Sequence, residues 1–314
     1  MIVSGWISRF KNDVYSQAKH LQGFRLRGST RLKSGLFVGS GDSYTCALLI
    51  EYISKHKMLA FHPSNILRCP RMVSDHEVIF ISASGRTHSN IEAAKIARKA
   101  AIKTIAVTVK PKSALEEVCC ETYNLDYLHP LDTGILGFTA TVITCMSLIG
   151  INNKTNILGN IIRDAQQQVD LCAMDLPTNF KSIIFLGDNT AYPVACYGAL
   201  KMNELFGFMS FGYLLDDYYH SPIFSLKKRD CIFIVDHDRA KNSASANFHS
   251  KLKKTHSNSY HFQSHVGESI FERILFSIFV IQILSLTMAE KLGIEKPYYL
   301  ARKKTLELSS SLIY

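Results

Sequence analysis

The stretch from Ile81 to Glu92 reads I-S-A-S-G-R-T-H-S-N-I-E and places three hydroxyls, on Ser82, Ser84 and Thr87, around a single glycine, Gly85. Hydroxyls in this spacing donate to anion oxygens, and glycine lets the backbone turn tightly. A helix that starts just after them adds free N–H groups and a favourable dipole for negative charge. The chemistry these residues suggest is the cradling of a phosphate group. Ser/Gly loops before helices also serve as ordinary caps and turns, so the loop alone leaves both readings open.

The flanking pattern predicts how such a loop is positioned. Val78 to Ile81 is a short apolar run suited to a buried strand, and Ile91 to Ala101 has helical spacing. Ser89 and Glu92 have the S-x-x-E spacing of a capping box, which predicts a helix start near Asn90. The same strand, loop and helix order occurs earlier, with Leu36 to Val38, the loop from Gly39 to Ser43, and a helix from Tyr44 to Ile53. It recurs with a strand at Ile105 to Val109 and a second capping box, Ser113 to Glu116; Tyr123 to Tyr127 is a further strand candidate.

After a polar segment from Asn152 to Asn179, the order begins again. Ile183 to Leu186 reads as a strand, Gly187 to Thr190 as a loop and Val194 to Phe208 as a helix. Strands at Cys231 to Val235 and Tyr260 to Val266 and a long apolar helix from Ile270 to Lys291 complete it. This alternation predicts an α/β fold of two like units, each a parallel sheet flanked by helices, with ligands at the carboxyl ends of the strands. Residues 1–30 form a helical lead-in with Trp6, Phe10 and Val14 as its docking face; 31–160 and 175–314 are the expected subdomains. Gly39 and Gly41 begin a dinucleotide fingerprint, but its third glycine is Tyr44, which argues against NAD and leaves no cofactor implied.

Composition narrows the class. Hydrophobic residues are 47% and charged residues 20% of 314, which is globular. The formal charge of +10 attracts anions, yet the basic residues lie in short clusters such as Lys227-Lys228-Arg229, with no basic arm or nucleic-acid motif. Eight cysteines without a C-x-x-C pair argue against a zinc site or a disulfide framework. The N-terminus carries charge from Arg9 and no signal-like apolar core, so a cytoplasmic location is expected. Two apolar runs, Ile135 to Ile151 and Ile274 to Ala289, fall short of the ~20 residues a membrane span needs and are expected as buried or interface helices.

Five segments in order, G-S-G-D-S-Y (Gly39 to Tyr44), I-S-A-S-G-R-T (Ile81 to Thr87), G-A-L-K-M-N-E (Gly198 to Glu204), Y-H-S-P (Tyr219 to Pro222) and K-P-Y-Y-L-A-R-K-K-T-L-E (Lys296 to Glu307), carry a resemblance. The chain resembles the double sugar-isomerase (SIS) domain family, and within it the isomerase half of glucosamine-6-phosphate synthase. The resemblance implies two flavodoxin-like three-layer subdomains. It implies phosphate-binding hydroxyls on Ser82, Ser84 and Thr87, backbone contacts from Ala83 and Gly85, and Ser43 and Ser113 on neighbouring loops near the sugar. Glu204 takes the place of the proton-transfer carboxylate, one turn from Lys201, and His220 that of the ring-opening histidine, which the synthase draws from a partner subunit. A homodimer with shared sites is therefore implied.

Where the chain departs from the synthase, the implied chemistry changes. Ala83 and Arg86 replace a polar residue and an acid, and H-S-P (His220 to Pro222) replaces the synthase's H-G-P. The synthase's Schiff-base lysine falls on Arg302, which stays protonated and forms no imine, with Lys303 one residue away. The chain starts almost directly at the sugar module, so independent use of glutamine is not expected. On spacing alone Lys201 and Glu204 would be a solvated ion pair, and His220 an ordinary half-buried histidine.

The reading these residues support is a phosphosugar isomerase acting on a hexose 6-phosphate through a cis-enediol, with no metal and neither nucleic acid nor membrane as partner. Short archaeal-type phosphoglucose and phosphomannose isomerases are the nearest functional parallel. Two alternatives remain: an amino-sugar-phosphate deaminase or deglycase, including a synthase-like isomerase module, and a non-catalytic sugar-phosphate sensor. The sensor would need a further domain, and about 30 residues of lead-in cannot hold a helix-turn-helix.

Overall fold

A computed structural model describes residues 5–22, 31–125, 135–151 and 155–314. In chain order the helices are α1 (Trp6–Tyr15), α2 (Gln17–His20), α3 (Asp42–Ile53), α4 (Pro63–Arg68), α5 (His88–Ala100), α6 (Ala114–Val118), α7 (Ile135–Leu148), α8 (Leu158–Ala173), α9 (Ala191–Phe206), α10 (Leu215–His220), α11 (Ala244–Leu252), α12 (Ile270–Leu292), α13 (Tyr298–Ala301) and α14 (Lys303–Ile313). The strands are β1 (Gly35–Val38), β2 (Met58–Phe61), β3 (Glu77–Ile81), β4 (Lys103–Thr108), β5 (Glu121–Asn124), β6 (Ser182–Gly187), β7 (Met209–Leu214), β8 (Cys231–Asp236) and β9 (Ser259–Gln263).

The strands form two all-parallel sheets, ordered β2-β1-β3-β4-β5 and β7-β6-β8-β9. Both follow the doubly wound order in which the first strand of each set lies inside the second, so direction reverses between β1 and β3 and between β6 and β8. The expected α/β class, with two parallel sheets flanked by helices, is what the chain adopts. The central strands β1 and β8 are buried along their whole length, and apolar but for Asp236 at the end of β8, because helices cover both faces.

The chain separates into two compact units that are not sequential halves. One gathers Lys19–Thr155 and Lys304–Tyr314; the other gathers Met1–Ala18 and Asn156–Lys303. The N-terminal segment through Ala18 thus groups with the second unit, and residues 304–314 of the tail group with the first.

In the second unit Trp6, Phe10 and Val14 are buried along one face of α1, which packs on α12. Burial of each such side chain contributes roughly 1.5–3 kcal/mol. Gln17 Nε2 adds a bond to Gln282 Oε1 at 2.7 Å. Both apolar runs are buried helices. In α12, the one helix among the described residues long and apolar enough to cross a membrane, 78% of the apolar window is buried.

Several elements differ from the sequence reading. The polar segment from Asn152 to Asn179 contains α8, whose Leu158, Ile161, Ile162, Ala165, Val169 and Cys172 form a buried stripe between solvent-facing polar residues. The edge strands β2 and β7 were not expected; edge strands are half exposed and lack the continuous apolar run that marks a central strand. Of the candidate strand from Tyr123 to Tyr127, β5 covers the start, and Asp126 and Tyr127 lie outside the described residues, as do the ends of the lead-in. Helix α5 begins at His88 with Thr87 as its N-cap, so the Ser89–Glu92 capping box does not form. Glu92 instead pairs with Lys95 Nζ at 2.8 Å.

Candidate active site

In the first unit the loops after β1 and β3 meet at the point where strand order reverses. Gly39 immediately follows β1, and a Cβ there would lie 2.6 Å from the backbone carbonyl carbon of Ser43, so only glycine lets the start of α3 approach the sheet this closely. Ser43 is carried on the first turn of α3.

The second loop is the hydroxyl cradle. Gly85 has φ +60°, and a Cβ on it would lie 2.2 Å from Ser113 Oγ, so Ser113 is packed directly against it. Ser113 is buried and caps α6, its Oγ accepting from the Glu116 backbone N–H at 3.4 Å. Ser82 Oγ accepts from the Gly85 N–H at 3.1 Å and lies 3.3 Å from Thr87 Oγ1. Ser84 Oγ accepts from the Arg86 N–H at 3.3 Å. The Ala83 carbonyl accepts from the Val109 N–H at 3.2 Å, which pins the loop to the end of β4. Arg86 is exposed, its guanidinium 5.2 Å from the Tyr314 ring centre.

Thr87 makes no side-chain cap on α5, because its hydroxyl faces Ser82 instead. The first-turn N–H groups of α5 therefore lack the usual side-chain acceptor, which is the condition under which a helix start favours an external anion. All seven residues expected to bind substrate, Ser43, Ser82, Ala83, Ser84, Gly85, Thr87 and Ser113, lie on the loops at the carboxyl ends of β1, β3 and β4 or on the helix starts that follow them.

The second unit carries the remaining candidates. On α9, Lys201 is buried and its ammonium donates to Glu204 Oε2, with the Tyr197 ring 5.6 Å away. The Glu204 side chain keeps 45% of its surface exposed. This is a half-buried pair with the lysine held inside, unlike a solvated surface bridge. His220 closes α10 and is exposed, so it is not the half-buried histidine that its neighbours suggested. Arg302 caps α13 with its guanidinium 5.8 Å over Tyr298, and Tyr298 packs on Gly207 at the end of α9. The tail thereby packs α13, which Arg302 closes, on the helix that bears Lys201 and Glu204. Lys303 is exposed at the start of α14.

Strand register identifies what the second unit has in place of the cradle. Val38 pairs with Phe80, so Gly39 stands opposite Ile81; Gly187 pairs with Val235. Gly187 also meets the first residue of α9 as closely as Gly39 meets Ser43. Ser82 is therefore matched by Asp236. The Asp236 carboxylate accepts from Ser243 Oγ at 2.5 Å, from His261 Nε2 at 3.0 Å and from the Asp238 N–H at 2.8 Å. Burial alone pushes this carboxyl up, but the hydrogen bonds from His261 and Ser243 prevail and hold it below the usual carboxylate range. Ser243 also caps α11 by accepting from the Ala246 N–H at 3.0 Å.

Beside it, buried His237 bridges Thr190 Oγ1 and Ser277 Oγ, both at 3.0 Å, and burial drives its pKa down to about 3. Sequence reading passed over Asp236 and His237. The run C-I-F-I-V-D-H-D does show an acid at a strand end, and the register supplies its meaning. Among the described residues no group of three His, Cys, Asp or Glu side chains is arranged to hold a metal ion.

Comparison with known proteins finds a likeness in the cradle unit. The SIS domain profile matches residues 32–151. The glutamine–fructose-6-phosphate aminotransferase (isomerizing) of Agrobacterium fabrum is 24% identical over 196 residues, 54% of this chain and 31% of that protein. The chain thus spans about a third of the length of the curated relatives it matches.

Two solved structures share the fold across nearly the whole chain. Glucosamine-6-phosphate deaminase from Thermotoga maritima has a TM-score of 0.75 at 17% identity and covers 93% of this chain and 97% of its own. The C-terminal domain of glucosamine-fructose-6-phosphate aminotransferase from Francisella tularensis has a TM-score of 0.75 at 18% identity, covering 95% and 99%.

Proposed function

We propose that the chain is a phosphosugar isomerase that interconverts an aldose 6-phosphate and its ketose through a cis-enediol. The observation that carries the reading is the uncapped start of α5 beside Ser82, Ser84 and Thr87, a helix terminus with its own hydroxyl ring and no internal anion. The phosphate is assigned to that loop, and Ser43 and Ser113 to the sugar.

Glu204 is assigned the proton transfer. It removes the proton from C2 of the open-chain aldose and returns it to C1, while the hydroxyl proton passes from O2 to O1. Lys201 and Arg302 supply positive charge for the enediolate oxygen. His220 is assigned ring opening, acting from a partner subunit in a homodimer. An arginine at position 302 polarises a ketose oxygen without a covalent step, which suits isomerisation and does not suit imine chemistry.

The test is a panel of hexose 6-phosphates and hexosamine 6-phosphates, assayed for aldose–ketose exchange and for ammonia release. Exchange without ammonia supports the isomerase. Ammonia from an amino sugar, without exchange, replaces it by the deaminase reading.

A further inference from the structure

A cavity of about 420 Å³ lies in the second unit, at the end of its sheet opposite the loops described above. Ser182 opens β6 and Met209 opens β7, while Asp230 immediately precedes β8; all three line the cavity, which sets it toward the amino ends of the strands. Ligand sites of doubly wound sheets lie at the carboxyl ends, so this cavity is not part of the candidate active site. Its volume falls within the range of small-molecule pockets, roughly 300–1,000 Å³.

The decisive feature is Tyr218. Its side chain is fully buried in the core cluster over the sheet, with its ring 5.8 Å from Tyr213 and 6.1 Å from Phe248, and it lines the cavity. Its hydroxyl is buried and has no hydrogen-bond partner among the described residues. Buried polar groups are paired in the great majority of cases, so an orphan hydroxyl on a residue that lines a cavity points to a ligand atom that reaches it when the cavity is filled.

The rest of the lining narrows the ligand. Phe211 and Tyr213, two apart on the same face of β7, set their rings 6.1 Å apart and 25° from parallel, forming an aromatic wall. Asp230 seeks no partner: Oδ1 accepts from Ser182 Oγ at 2.8 Å and Oδ2 from the Lys227 N–H at 2.7 Å. Lys181 and Lys227 are exposed at the rim and outnumber that one carboxylate.

We infer that this cavity binds a small aromatic monoanion, with its ring against Phe211 and Tyr213, an acceptor atom on the Tyr218 hydroxyl and its acid group at Lys181 and Lys227. Burial, with Asp230 and Tyr213 nearby, holds the phenol's pKa at about 12, so the hydroxyl donates at neutral pH. Tyr218 lies on α10, two residues before His220, and Pro222 and Ser225 of the following turn also line the cavity. An occupant therefore clamps the segment that presents His220, whatever reaction His220 serves.

The test uses 8-anilinonaphthalene-1-sulfonate as probe on the full chain, read by fluorescence. Saturable binding of one probe per chain is expected, undisturbed by excess fructose 6-phosphate. Y218F loses one hydrogen bond and should bind about five- to tenfold more weakly, with an unchanged far-UV circular dichroism spectrum. K181A/K227A should weaken the sulfonate and leave neutral N-phenyl-1-naphthylamine unaffected. F211A, at an exposed edge position, gives a second readout that does not depend on the core tyrosine. Unsaturable binding, or affinities unchanged in both Y218F and F211A, would overturn the assignment. Because the readout is binding, it stands or falls separately from the isomerase proposal.

Discussion

The packing of Gly85 against Ser113 gives a direct test of the cradle. Alanine at Gly85 must hold φ near +60°, and its Cβ would sit 2.2 Å from Ser113 Oγ and 2.3 Å from Ser113 Cβ. The left-handed conformation costs about 1–2 kcal/mol for a residue with a side chain. Forcing apart two packed groups costs about 1–3 kcal/mol more. G85A should therefore destabilise the first unit by roughly 2–5 kcal/mol. S113G removes both clashing atoms and, as a cap replaced by glycine, costs only a few tenths of a kcal/mol by itself. The double variant G85A/S113G should recover about 1–3 kcal/mol and retain the backbone strain and the 3.0 Å approach to Thr108 Oγ1. Urea unfolding of the four proteins, followed by far-UV circular dichroism, measures the cycle. A double variant no more stable than G85A would mean that the loop is not packed on Ser113, and the cradle geometry would be wrong.

Other consequences are as direct. S84A should weaken binding of a sugar phosphate about tenfold and leave the unphosphorylated sugar unaffected, measured by calorimetry. E204Q keeps the shape of the Lys201 pair and removes the base, so turnover should fall roughly 10² to 10⁴-fold with KM little changed; an active variant would assign proton transfer elsewhere. Incubation with fructose 6-phosphate and borohydride should leave the intact mass unchanged, since Arg302 forms no imine; a sugar adduct on Lys303 would favour amine chemistry. His237 binds its proton only below about pH 3 when folded and near 6.5 when unfolded, so the unfolded state holds more protons between those values. Stability from this group is then full above about pH 6.5 and falls with acid, by about 2 kcal/mol at pH 5, and H237Q should flatten that slope in urea melts.

What was legible in the sequence was set by local signals. The central strands are continuous apolar runs and were placed within a residue or two, because burial on both faces leaves no other composition. The loop was visible because its three hydroxyls and its glycine lie close together in the chain. The start of α5 was misjudged by its capping box. Ser89 and Glu92 have the spacing, but the helix begins two residues early, at His88 with Thr87 as its N-cap, whose hydroxyl is turned toward Ser82, a partner five residues away that no cap pattern includes. Helix α8 was hidden by its polar majority and the edge strands by their half-exposed faces. The buried state of Lys201 could not be read from an i, i+3 spacing, since the Tyr197 ring and the body of its unit supply the burial.

The two units share a strand order, a close-approach glycine at the end of the first strand and a serine cap after a central strand, yet their switch points differ in charge. At the matched position one unit has Ser82 and the other Asp236. A helix start attracts a negative charge wherever it comes from. In the second unit the protein supplies that charge itself: the Asp236 carboxylate takes the Ser243 hydroxyl and the His261 ring, and Ser243 closes the start of α11. An incoming phosphate there would meet a buried like charge and an already capped helix. In the first unit the same place holds neutral hydroxyls and an uncapped helix, so an external anion gains what Asp236 has already taken in its counterpart. On the proposed reading, the duplication argues for one phosphate site per chain, with Lys201, Glu204, His220 and Arg302 of the second unit carried on α9, α10 and the tail.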